Sequence, residues 1–207
     1  FFIVNKTQRG ISPSLKDALL YRIKSSGIQG LSIIEKENWR IIGAKIGITL
    51  NCEEGSPLRD KINVSGKRGV GKPIQLNSFV SSLQILFSDK DFSKLSNDGK
   101  LEFLGAYWAV IKDLVPQAFE KKTYKDYMLL KALGVYSLHW LAKDVFQTCP
   151  KQGYDFRDVE VLKPLLMPLK SFDWSTKTSP LSALGGMKGA NKAHELLLEA
   201  FSQKIEI

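Results

Sequence analysis

The sequence predicts a mainly α fold, of α+β class, in which a small β element near the N-terminus is followed by a helical bundle. Three observations predict it. Extended runs (FFIV, KINVS, PIQL) all fall before residue 77, whereas beyond residue 100 the apolar residues recur at three- and four-residue spacing almost throughout. A hydrophobic content of 43% over 207 residues is enough for a packed core.

The elements follow in order. FFIV at residues 1 to 4 reads as a core strand met in mid-course, so the chain is expected to be a fragment or processed remainder of something longer. The polar turn VNKTQRG leads to a helix for which Ser12 is the expected cap and Pro13 suits the first turn. Ser14 and Asp17 fit an alternative register resembling a capping box. Leu15, Leu19 and Ile23, four residues apart, form the expected buried stripe, and Gly27 and Gly30 end the helix. A second helix is expected over 33 to 48, with Gly43 and Gly47 weakening its far end. After the turn NCEEGSP come the strand KINVS and a glycine loop. A third helix runs from Asn77 or Ser78 to Phe87, with Phe79, Leu83 and Phe87 on one face.

Residues 89 to 100 are charged and turn-rich and mark the expected internal boundary, dividing the chain into 1 to 88 and 89 to 207. A helix over 101 to 115 places Leu104, Trp108 and Ile111 together before Pro116 closes it. Residues 127 to 146 are apolar around most of a helical circumference, as a central bundle helix should be, and Cys149-Pro150 ends that run. DVEVLKPLLMPL is a shorter helix kinked or broken by Pro164 and Pro168. Residues 172 to 189 form an irregular connection, and 190 to 201 a last helix with Ala193, Leu197 and Ala200 inward.

Composition excludes several chemistries. Cys52 and Cys149 lie far apart and form no C-x-x-C pair, which argues against a disulfide framework and a cysteine zinc site and points to a reducing, cytoplasmic setting. With only His139 and His194, no three-histidine metal centre is possible, so neither a metal nor another cofactor is expected. No apolar run reaches the length of a membrane span.

The net charge of +9 is uneven. Residues 1 to 75 hold 13 Lys and Arg against 6 Asp and Glu, and the remainder holds 17 against 15. A basic third of this kind suits a polyanion partner, because neutralising phosphates releases condensed counterions; the alternative is a solvated basic face.

GKRGVGK at 66 to 72 has the spacing of a phosphate-cradling loop, but Pro73 stands where that chemistry needs a magnesium-binding hydroxyl. The loop is therefore read as a connection to PIQL. Its Lys67, Arg68 and Lys72 are candidates for non-specific phosphate contact, against an inert turn. Asn5, Lys6, Thr7, Gln8 and Arg9, at the end of the first strand, are candidate nucleic-acid contacts; the alternative is that they satisfy turn backbone. Gly186, Lys188 and Lys192, where a glycine-rich turn feeds the last helix, are a weaker anion-binding candidate. Of the four tryptophans, Trp108 and Trp140 are expected in the core, and Trp174 alone lies in an irregular segment where it would be free to stack on a base. No arrangement of nucleophile, base and orienting group is visible.

Together, FFIVNKTQRGISPSL, KINVSG with KPIQLNSFVSSL, and FDWS with LGGMKGANKAHELL, in that order, resemble the bacterial DGQHR-domain family. The resemblance covers most of the chain loosely. It implies a partition-protein-like domain completed by residues 1 to 88, a helical portion from 89 to 207, and a place in a DNA-modification or phage-defence system. The string DGQHR itself is absent, NDGK at 97 to 100 being the nearest text, so the motif is expected upstream of Phe1. The first expectation is thus a DNA-associated protein. The alternatives are part of a nucleotide-dependent enzyme, nuclease or ATP hydrolase, with its catalytic motif upstream, and a helical module that binds a protein partner.

Overall fold

The computed structural model describes residues 10–27, 38–67 and 71–202. FFIV, the stretch from Asn5 to Arg9, the start of the second helix and Arg68 lie outside the described residues. The fold is mainly α with a small β element near the N-terminus.

Helix α1 spans Pro13–Ser25, with Ser12 as its cap: the Ser12 hydroxyl accepts from the Leu15 amide at 3.2 Å. The face it buries is not the expected one. Ser14, Asp17, Ala18 and Leu20 point inward, while Leu15 is 37% exposed and Leu19 and Ile23 are half-buried. Partners from other elements decide this. Arg40 donates to both carboxylate oxygens of Asp17 at 2.9 and 2.8 Å, the Asn77 side-chain amide reaches the same carboxylate at 3.2 Å, and the Ser14 hydroxyl accepts from the Asn77 amide at 3.1 Å. Ser14 and Asp17 thus bond to distant elements rather than form a capping box.

The described part of helix α2 is Asn38–Cys52, so it continues four residues beyond the expected end. The helix runs on through Gly43 and Gly47, and Gly47 lets another helix approach. A Cβ on Gly47 would stand 2.9 Å from Leu76 and 3.0 Å from Phe79. Strands β1 (Ile62–Asn63) and β2 (Ile74–Gln75) pair in parallel, Ile62 opposite Ile74 and Asn63 opposite Gln75. Helix α3 (Leu76–Ser82) starts directly from β2, and a break at Leu83 separates it from the single turn α4 (Gln84–Phe87).

The stretch read as turn-rich is itself packed. Asp89 caps α5 (Lys90–Lys94) through the Asp91 and Phe92 amides, and the Lys100 ammonium, 3% exposed as a residue, closes its far end on the Ser93 and Leu95 carbonyls. Phe92 meets Phe87 at 5.7 Å, Phe103 at 6.0 Å and Phe146 at 5.3 Å, so the core runs without a break across residues 88 and 89.

Helix α6 (Asn97–Leu114) buries Leu104, Trp108 and Ile111 as expected, and Pro116 opens a 3-10 turn, Pro116–Phe119. The central helix α7 spans Ala132–Lys151 rather than starting at Tyr127, because Tyr127 is held in an antiparallel bridge to Ser175. Pro150 lies inside its last turn instead of ending it at Cys149. Helices α8 (Val159–Leu166) and α9 (Pro168–Ser171) meet at Pro168, and α10 spans Gly186–Ser202, with Phe201 rather than Ala200 reaching the core. Helix α7 is covered by α10 and by α3 and α4, while α6 packs on α8. Among the described residues no helix is long and apolar enough to cross a membrane.

Candidate functional site

The β1–β2 connection is built from side chains that stand in for missing sheet. At the end of α2, Asn51 accepts the Ile62 amide at 2.9 Å through its side chain and the Asp60 amide at 3.0 Å through its backbone, fixing the start of β1. Asp60 itself has φ 57, the left-handed region that a non-glycine residue adopts only when its surroundings hold it there. Asn63 then organises the loop: its side-chain oxygen accepts from the Ser65 amide, the Ser65 hydroxyl and the Gly66 amide at 3.0 to 3.1 Å, and its side-chain nitrogen donates to the Lys67 carbonyl at 2.7 Å. The backbone of Lys67 is therefore positioned even though its side chain is exposed.

Gly66 has a packing role. Its φ is +67, and a Cβ there would stand 2.1 Å from the Ser12 hydroxyl oxygen, whose bond to the Ser65 carbonyl at 3.3 Å ties the loop to the first turn of α1. The first glycine of GKRGVGK thus permits close chain approach. The loop leads from strand to strand, and no helix starts among its described residues to face an anion.

Cations gather around this scaffold. Lys72 bonds Asp60 at 2.9 Å, which holds the Asp60 carboxyl below its usual range, with Arg59 and Lys61 adding to the effect. Arg59 stands 3.6 Å from the exposed Glu54. Lys61 is half-buried, and its ammonium is pushed below the ordinary lysine value first by burial and then by the positive charge of Lys112 on α6. Arg59, Lys67 and Lys112 are exposed. The chemistry this arrangement supports is contact with phosphate oxygens, which positions a polyanion without reading its sequence. Lys112 was missed by sequence reasoning: it lies in the apolar run ending at Pro116, and only the packing of α6 against the N-terminal elements brings it to Lys61.

The other candidates lie apart. Gly186, with φ +63, opens α10; Lys188 is exposed; Lys192 sits in the second turn, bonded to Glu195 at 3.0 Å. The helix that carries this group packs on α7 and α9. Trp108 is fully buried and Trp140 half-buried. Trp174 is 3% exposed, its indole N–H donates to the Leu169 carbonyl at 2.9 Å, and its ring lies 4.9 Å from Phe172, so its faces are not open to a base as the irregular segment had suggested.

Two further features have the look of chemistry. The Ser82 hydroxyl lies 2.6 Å from His139 Nδ1, a spacing suited to a nucleophile and its base. The imidazole's other nitrogen, however, receives the Trp108 indole N–H at 3.1 Å, and an indole only donates. Nε2 is then the acceptor, Nδ1 carries the proton and donates it to Ser82, and the Ser82 hydroxyl donates to the Phe79 carbonyl at 2.8 Å. His139 cannot take a proton from Ser82, both residues are fully buried, and burial lowers the His139 pKa to about 3. The group is a structural relay in the core. The second feature is an open cleft of about 730 Å³ between the 3-10 turns after α6 and residues 170 to 175, lined by Gln117, Asp126, Tyr127, Lys170 and Asp173 among others. Its charged groups are mixed in sign.

Comparison with protein-family models, with curated proteins and with solved structures finds no match.

Proposed function

We propose that this chain is a DNA-associated protein that holds the phosphate backbone at the basic cluster of the β1–β2 connection. One observation supports the reading: Arg59, Lys61 and Lys72 act on Asp60 at the start of β1, Lys112 of α6 stands close enough to act on Lys61, and Asn63 fixes the backbone of Lys67 in the connection that follows. Holding Lys61 close to Lys112 is unfavourable in the free protein, and an arriving phosphate relieves it. The candidate residues Asn5 to Arg9 join the chain at Gly10, two positions before the Ser12 that is bonded to this loop, and their polar side chains suit the same partner. The resemblance to the DGQHR-domain family adds the setting: a bacterial DNA-modification or phage-defence system in the cytoplasm.

The test is a fluorescence-anisotropy titration of duplex DNA over a range of salt concentrations. Binding is expected to weaken linearly in log salt, and Lys67→Glu with Lys112→Glu is expected to lower affinity about tenfold or more at low salt and reduce the salt slope by about 2. Absence of binding at low salt, or binding indifferent to salt and to both charge reversals, overturns the proposal.

A further inference from the structure

Helix α1 is turned so that its polar residues face the protein. Asp17, its one acidic residue, is 1% exposed and locked to Arg40, and Ser14 is 3% exposed. What this orientation leaves on the other side is apolar: Ile11 is 62% and Leu15 37% exposed, and Leu19 and Ile23 continue the four-residue spacing half-buried. At about 100° per residue, Leu15, Leu19 and Ile23 lie within an arc of about 80° and span about 12 Å of the helix, with Ile11 just before its cap. Exposed cations stand at its two edges, Lys16 on one side and Arg22 on the other.

We infer that this stripe is a docking seam for an acidic amphipathic helix of a partner protein. A narrow apolar row with charges at both margins is the pattern by which two helices pair, the row burying apolar area and the margins choosing the partner. The charge selects among occupants. A second copy of α1 would set Lys16 and Arg22 against the same two cations, which disfavours self-pairing. A nucleic acid gains nothing from Ile11 and Leu15. A bilayer surface favours a broad apolar face carrying large aromatic residues, which this stripe lacks. A helix with leucines at its seam and glutamates beside them satisfies both the apolar row and the cations.

The test uses the full chain and two synthetic helical peptides, alike in having Leu at the a and d positions and differing in Glu or Lys at e and g. The Glu peptide is expected to bind and the Lys peptide not to. Ile11→Ser with Leu15→Ser, both exposed positions, should weaken the Glu peptide about tenfold while leaving the circular dichroism spectrum and DNA binding unchanged. Lys16→Glu with Arg22→Glu should reverse the preference between the peptides. Equal binding of both peptides, or of neither, overturns the inference. So does self-association that Ile11→Ser with Leu15→Ser abolishes, or adsorption to phosphatidylserine vesicles without peptide binding. The DNA arm keeps failure here separate from failure at the β1–β2 connection.

Discussion

At the scale of single residues, the group formed by Ser82, His139 and Trp108 shows how hydrogen-bond direction separates a structural site from a chemical one. The indole can only donate, which fixes the tautomer, and the tautomer removes the base. The same burial has a consequence in acid. His139 has a folded pKa of about 3 against an ordinary value of 6.5, so below pH 6.5 the unfolded chain takes up a proton that the folded chain refuses. The stability contributed by the neutral imidazole is complete above pH 6.5 and is lost progressively as pH falls towards 3. Between pH 7 and pH 5 this amounts to about 2 kcal/mol. Urea denaturation of the wild type and of His139→Phe at both pH values isolates it, since other titrating groups are common to the two proteins. The stability gap between them should shift by about that amount in favour of the variant at pH 5. A gap that stays constant would show that His139 titrates normally.

At the scale of elements, the inward face of α1 joins ionic and hydrogen-bonded contacts of Ser14 and Asp17 to the burial of Ala18 and Leu20. Removing the carboxylate by Asp17→Ala takes away the bidentate partner of Arg40 and one acceptor of Asn77, and should cost about 3 kcal/mol, measured by urea denaturation. A cost below about 0.5 kcal/mol would mean that the pair behaves as an exposed one. The same helix shows what sequence alone conveys. Ser12 followed by Pro13 announces the helix start, because capping chemistry is local. Which face turns inward depends on Arg40 and Asn77, 23 and 60 residues from Asp17, and no periodicity encodes that. Likewise α6 was legible through Leu104, Trp108 and Ile111, whereas the start of α7 was not, since the bridge from Tyr127 to Ser175 withdraws the residues before Ala132. For the site, the basic character of the loop was legible in Lys67 and Lys72, while Lys112 and the locking role of Asn63 depend on tertiary packing and on side-chain geometry.

At the scale of the whole molecule, one core joins what composition divided at residues 88 and 89. Phe87 and Phe92 meet edge to face across that point, and Phe79, from the N-terminal part, stands edge-on to His139 of α7 at 4.8 Å. Unfolding in urea is therefore expected to be a single transition, with coincident midpoints by tryptophan fluorescence and far-ultraviolet circular dichroism. Separated midpoints would mean that residues 1 to 88 and 89 to 207 unfold as independent units. The same continuity explains how Lys112, on a helix of the second part, comes to stand beside a loop of the first.

The Ser12 hydroxyl accepts from the Leu15 amide on one side and donates to the Ser65 carbonyl on the other. A single oxygen is thus a rivet between the proposed DNA-contacting loop and the helix that carries the apolar seam. Deuterium uptake at the Leu15 amide consequently gauges both: slower exchange when a polyanion settles on the loop would mark the two surfaces as mechanically joined.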